Sequence, residues 1–320
     1  MGLVGACGIS VLCNLMRVYN FIQTCSDSDN ETESKKSSSS PGNLLRGNWT
    51  TALQFWLLTV LLSLVGSRVS SLIVLEFTLR AVSTWLTAGL KANGRGLDLL
   101  LIQCQFTLGC GLTCTLGFLH QGAPHSSFSL FLAAALSWAL ASVSHSLWSH
   151  VARLYPLHSR ARYCGKCITL LASGHTILAS LQRVVVLVFA IATVASTATV
   201  YDHFLSQKDA LKFWTPLTLC YSMLVVYIQE DQQRKTVTEA LLHTVVLRLG
   251  ALLVLMLIVG NWSDVLHVLI TFVGEAVSLL PSQDLLKAVL QEEEDTSLKY
   301  EQISSHKTRK QTMETSSDGR

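Results

Sequence analysis

Apolar runs recur along this chain from one end to the other, separated by short polar connections. About twenty apolar residues are what a helix needs to cross the hydrocarbon core of a bilayer. The pattern predicts eight spans, at 3–22, 52–75, 99–119, 128–148, 184–201, 213–228, 245–260 and 264–280. Segment 168–182, with Gly174 and His175, is too polar to count as a further span, and reading the last pair as one helix would lower the count to seven. The fold class is therefore all-α: a polytopic transmembrane helical bundle of about seven to eight spans. Its parts are a first transmembrane helix over 1–25, a polar loop over 26–50, the bundle over 51–280 and a tail over 281–320. The loop and the tail lack apolar periodicity and are predicted to be disordered. The first run has no basic leader and no small-residue cleavage site, so it reads as a span and not as a removed signal peptide.

Composition sharpens this class. Only 14% of residues are charged, against about 25% in soluble domains, and the mean hydropathy is +0.41. A net charge of +3 without a basic patch interleaved with aromatics gives no reason to expect nucleic-acid binding. The partners implied are the lipid bilayer and other membrane proteins docking on small-residue helix faces. One such face is the seam Gly109, Thr113, Gly117, where residues four apart let another helix approach closely. The nine cysteines lie mostly inside apolar runs and behave there as small hydrophobes.

Charge asymmetry orients the eight-span arrangement. Connections 76–98, 149–183 and 229–248 hold eleven Lys and Arg, against five in 23–51, 120–127 and 202–212. The positive-inside rule puts the first set in the cytosol. Both termini then face the cytosol and Asn30, in the sequon Asn30-Glu31-Thr32, faces the lumen as a glycosylation candidate. Such a protein belongs in the secretory pathway or plasma membrane rather than in the mitochondrion or peroxisome.

Several charges sit inside or beside the apolar runs. Arg68, Glu76 and Arg80 share a broad helix face, and Glu76 and Arg80 are spaced as an i,i+4 pair. Three readings are open: side chains at the headgroups, a structural intramembrane pair, or part of a transport path. Asp264, His267, Thr271 and Glu275 form a polar stripe on the last helix, with the same choice between interhelical bonding and a path. Cys164-Gly165-Lys166-Cys167, with His158 before it and His175 after it, is half of a zinc site or else a reduced cysteine pair at a helix start. The second is the simpler, so no metal and no cofactor are expected. His145 and His150 are five apart, do not share a face, and read as a polar helix end. In the tail, Tyr300 to Ile303 has the Tyr-x-x-apolar spacing that sorting adaptors bind as an extended strand.

The segments Val74–Thr84, Cys104–Cys114, Gly122–His125, Arg162–Cys167, Phe213–Tyr221 and Tyr227–Glu230 resemble the transmembrane protein 82 family. The Asn30 loop and the segment after Pro281 take no part in that resemblance. It implies a polytopic membrane protein and transfers no catalytic residue. No paired catalytic aspartates, Ser/His arrangement or HExxH motif is present. The expectation is a non-enzymatic protein acting by scaffolding, trafficking or modifying a partner in the bilayer. The alternative is a transporter or channel using Arg68, Glu76, Arg80, Asp264, His267 and Glu275.

Overall fold

The computed structural model describes residues 1–28, 43–88, 100–121, 126–158, 164–204, 224, 227, 237–259 and 261–279. Among them the main elements are α1 (Gly2–Ser28), α2 (Asn43–Leu64), α3 (Gly66–Ala88), α4 (Gln105–His120), α5 (Ser126–His158), α6 (Gly165–Phe204), α7 (Val237–Val259) and α8 (Trp262–Leu279). No strand occurs among the described residues. Within them, Gly2–Gln23, Ser127–Arg153, Thr176–Tyr201 and Trp262–Leu279 are long and apolar enough to cross a membrane, and Leu242–Leu257 is a shorter apolar stretch. Counting the bent α2–α3 pair as one crossing makes five, short of the seven to eight expected. The predicted span 213–228 lies outside the described residues, apart from Leu224 and Tyr227.

Two departures from the apolar pattern have clear causes. The run 52–75, expected as one span, breaks after Leu64, and the axes of its two halves bend by 104°. Gly66 makes the break with φ +74, a conformation that costs a residue with a Cβ but not glycine. Segment 168–182 is not separate from 184–201, because both belong to the forty residues of α6. At 1.5 Å per residue that helix is about 60 Å long, so only part of it needs to be apolar enough for lipid.

Side-chain contacts fix the direction of each helix. On α1, a Cβ added at Gly5 would lie 2.6 Å from the Gly109 carbonyl, and Met1 Sδ lies 3.7 Å from the Cβ position of Gly117. Helices α1 and α4 thus run antiparallel, with the predicted small-residue seam of α4 filled by α1 of the same chain. Asn14 donates to Ser144 at 3.2 Å, and Phe21 meets Trp148 edge-on with centroids 6.0 Å apart, so α1 and α5 run parallel. Ser71 pairs with Cys114, and Arg80 with Gln103, which sets α3 antiparallel to α4. Gln54 donates to the Val277 carbonyl while Gly66 lies under His267, so α2 and α8 are antiparallel.

These directions sort the helix ends. One end of the bundle gathers the start of α1, the α2–α3 turn, the end of α4, the start of α5, the end of α6 and the α7–α8 turn. The opposite end gathers the end of α1, the start of α2, the end of α5, the start of α6 and the end of α8. There a second small core of Val18, Ile22, Val151 and Leu170 joins α1, α5 and α6. The even-span arrangement put the first loop and the 149–183 connection on opposite sides and both termini on one side, whereas here the ends of α1 and α5 lie together. Because the chain turns back at Gly66, the stretch taken as one crossing begins and finishes at the same end. Helix α1 consequently finishes at the end where α5 finishes, and it starts at the end opposite to where α8 finishes.

Candidate functional site: a buried charge network

Four charged side chains meet between α3, α7 and α8. Glu76 and Arg80 lie one turn apart on α3, with Arg80 Nε 3.7 Å from Glu76 Oε1. Arg248 is the middle residue of α7, and its Nε lies 3.4 Å from Glu76 Oε2. Its Nη2 donates to Glu275 Oε1 on α8. The series Arg80–Glu76–Arg248–Glu275 therefore alternates in sign and sums to zero. Arg80 Nη1 donates to Gln103 Oε1 at 3.0 Å, and the same guanidinium lies over the Phe77 ring at 5.1 Å.

Burial decides what this arrangement is. Side-chain exposure is 1% for Arg248, 2% for Glu76, 3% for Glu275 and 6% for Arg80. A lone charge so enclosed carries a desolvation cost of several kcal/mol, which close opposite charges offset. The headgroup reading of Glu76 and Arg80 does not fit side chains enclosed between helices. Glu76 and Arg80 pair inside the bundle as half of a larger group.

The other three candidates lie elsewhere. Arg68 and Asp264 approach to 3.8 Å at the end carrying the α2–α3 and α7–α8 turns, with Arg68 40% exposed. Asp264 also starts α8: its Oδ2 accepts the Asn261 N–H at 3.3 Å, and its own N–H donates to the Asn261 carbonyl at 2.9 Å. The His267 ring sits 3.5 Å from the Cβ position of Gly66 and so covers the turn. In the polar stripe, Asp264, Thr271 and Glu275 are buried and His267 is half-buried, so the stripe faces inward. Its two ends nonetheless serve different ion pairs. A cavity of about 300 Å³ opens beside the α2–α3 turn, lined by Ser63, Ser67, Ser70, Thr113 and Cys114 among others, and no charged side chain lines it.

Cys164 Sγ lies 3.3 Å from His150 Nε2. The side chains of Cys167, His158 and His175 lie outside the described residues, as do Asn30, Tyr300 and Ile303 altogether. Among the described residues no group of three or more His, Cys, Asp and Glu could hold a metal ion.

Arg248 is the residue that reading the sequence missed. It falls near the start of the expected span 245–260, but α7 begins at Val237 and places it mid-helix. A single Arg flanked by apolar residues on both sides, one short turn before a helix carrying Glu275, is the signal that would have found it.

No solved structure matches this chain. The family described as Transmembrane protein 82 matches residues 1–300. That range takes in α1, the Asn30 loop and the segment from Pro281 to Tyr300, beyond the segments that carry the resemblance. Several apolar helices within that range make it a transmembrane protein, and the chain belongs to the transmembrane protein 82 family.

Proposed function

We propose that this protein is a non-enzymatic membrane scaffold, acting on partners within the bilayer, whose buried charges hold its helices in one arrangement. The observation that carries this reading is the closure of the network. Each guanidinium faces a carboxylate, the sum is zero, and the group ties α3 to α7 and α8 with Gln103 attached. A transport path would gain from the six candidates lying together, whereas they divide between two places. Helix α5 supplies outward surface for lipid or partners, with Phe128, Phe131, Leu136 and Leu140 exposed. The test is Glu76→Gln beside Glu275→Gln in cells. The scaffold reading expects both to lose folded protein at the membrane. Normal abundance with loss of a solute flux would replace it with the transporter.

Sidedness follows from the helix ends. Connections 29–42, 89–99 and 159–163 leave the end where α1 finishes and hold six Lys and Arg, and the segment from 280 to 320 holds six more. Connection 122–125, at the other end, holds none. Arg68 and, in the stretch 205–212 that follows α6, Lys208 and Lys212 add three at that end, and the contrast of twelve with three supports a cytosolic first loop and C-terminal tail with the amino terminus on the opposite side. Residence in the secretory pathway or plasma membrane is part of the same proposal. Asn30 is then cytosolic and unglycosylated. An endoglycosidase-sensitive mobility shift that disappears in Asn30→Gln would overturn this orientation.

A further inference from the structure

We propose that Cys164 is a site of reversible S-acylation, taking a fatty acyl group from a thioester on an anionic carrier. The inference rests on the cytosolic placement of the α5–α6 connection just described.

Cys164 is half-buried and not in a disulfide, whereas Cys7, Cys104, Cys110 and Cys114 are buried in the bundle and the half-buried Cys13 packs against its main core. It stands immediately before Gly165, where the forty-residue α6 begins, so the unpaired N–H groups and the positive dipole end of that helix face its surroundings. His150 Nε2 is 3.3 Å from the sulfur, a separation at which an imidazole acts as general base toward a thiol. Exposed Arg153 and Lys166 flank the pair and would attract the phosphates of an anionic carrier. Beneath it, Phe21, Trp148 and Leu170 make an apolar floor to which an acyl chain can turn. His150 lies in the last turn of the apolar stretch Ser127–Arg153, which puts the thiol at the membrane interface, where acyl thioesters partition.

The chemistry closes without an oxidant. With its proton on Nδ1, His150 accepts the thiol proton at Nε2 as Sγ attacks the thioester carbonyl carbon. The tetrahedral intermediate then collapses, the bond from the acyl carbon to the carrier sulfur breaks, and the carrier thiolate takes the proton back from His150.

The experiment uses the full chain in cells fed an alkyne-tagged sixteen-carbon fatty acid, with hydroxylamine release to identify thioesters. Wild type is expected to carry a hydroxylamine-labile label that Cys164→Ser lowers at least about tenfold, while Cys167→Ser and Cys25→Ser keep it. His150→Gln should slow acquisition of the label about tenfold or more, the lower end of a general-base contribution. To guard against a misfolded variant, the peptide containing Cys164 is also read from wild-type protein by mass spectrometry for a labile acyl group. A labelled Cys164→Ser protein, or a wild-type peptide with no acyl group, overturns the proposal. Impermeant maleimide separates the two readings. Labelling of Cys164 in intact cells, or only once internal membranes are opened as well, refutes the orientation, whereas labelling when the plasma membrane alone is permeabilised, with no acyl group found, refutes the acylation alone.

Discussion

Replacing Arg248 with Met removes a side chain that touches both Glu76 and Glu275. The hydrophobic stem is largely kept, so the change is mainly one of charge. What remains is Arg80 against two carboxylates, leaving one negative charge uncompensated among side chains no more than 6% exposed. At 3.4 Å and an effective dielectric of 20, the lost attraction to Glu76 alone is about 5 kcal/mol before solvation is counted. Breaking a buried ion pair on one side has a net cost of about 3–5 kcal/mol. Adding Glu275→Leu restores neutrality, because Glu76 and Arg80 still pair, and replacing both partners by apolar residues is often neutral. Thermal unfolding of detergent-solubilised protein, followed by size-exclusion retention, would show a drop on the order of 10 °C for the single variant. The double variant should recover most of it, a coupling that a double-mutant cycle reports directly. If Arg248→Met is as stable as wild type, or the double variant is no better than the single, the network does not hold the bundle together.

Other substitutions probe the packing and the sidedness. Gly274 lies against the fully buried Phe106 ring, and a Cβ there would overlap it; Gly274→Ala should cost about 1–3 kcal/mol by overpacking, and Phe106→Leu added to it should recover part of the lost melting temperature. Gly66→Ala forces a side chain into a left-handed conformation, with an expected loss of about 1–2 kcal/mol in the same unfolding assay. Gly5→Leu should separate α1 from α4, since even a methyl would sit 2.6 Å from a carbonyl oxygen; the expected outcome is faster proteolysis of detergent-solubilised protein. Epitope tags should be reached by antibody without permeabilisation of the plasma membrane at the amino terminus, and only after it at the carboxyl terminus, if the protein resides at the cell surface.

The helical class was legible because lipid demands apolar length, and 3–22, 128–148 and 264–280 reappear in α1, α5 and α8. The turn at Gly66 was not, because a glycine in an apolar run is compatible with a continuing helix. Only its neighbours, His267 above all, show which conformation it takes. With that turn in place, the ends of α1 and α5 fall together, a grouping of connections that hydropathy alone does not give. The polar residues of 168–182 hid the first half of α6 for a related reason: hydropathy reports where lipid is, not where a helix ends. Glu76 and Glu275 were visible as unusual carboxylates. Arg248 was visible as a single Arg among apolar residues, but that it joins the two carboxylates is a tertiary contact that spacing does not give.

The length of α6 has a mechanical consequence. A stiff rod of about 60 Å that tilts by about 10° around one end sweeps the other through roughly 10 Å. One half of this rod lies against α3 and α4 through Phe189, Ala192 and Thr193, and the other half meets the small core around Val18 and Ile22 through Leu170 and Ile177. Bilayer thickness acts on the tilt of long hydrophobic helices. A change in the thickness of the surrounding lipid thus becomes a lateral displacement at Gly165, a lever arm away from where the lipid acts.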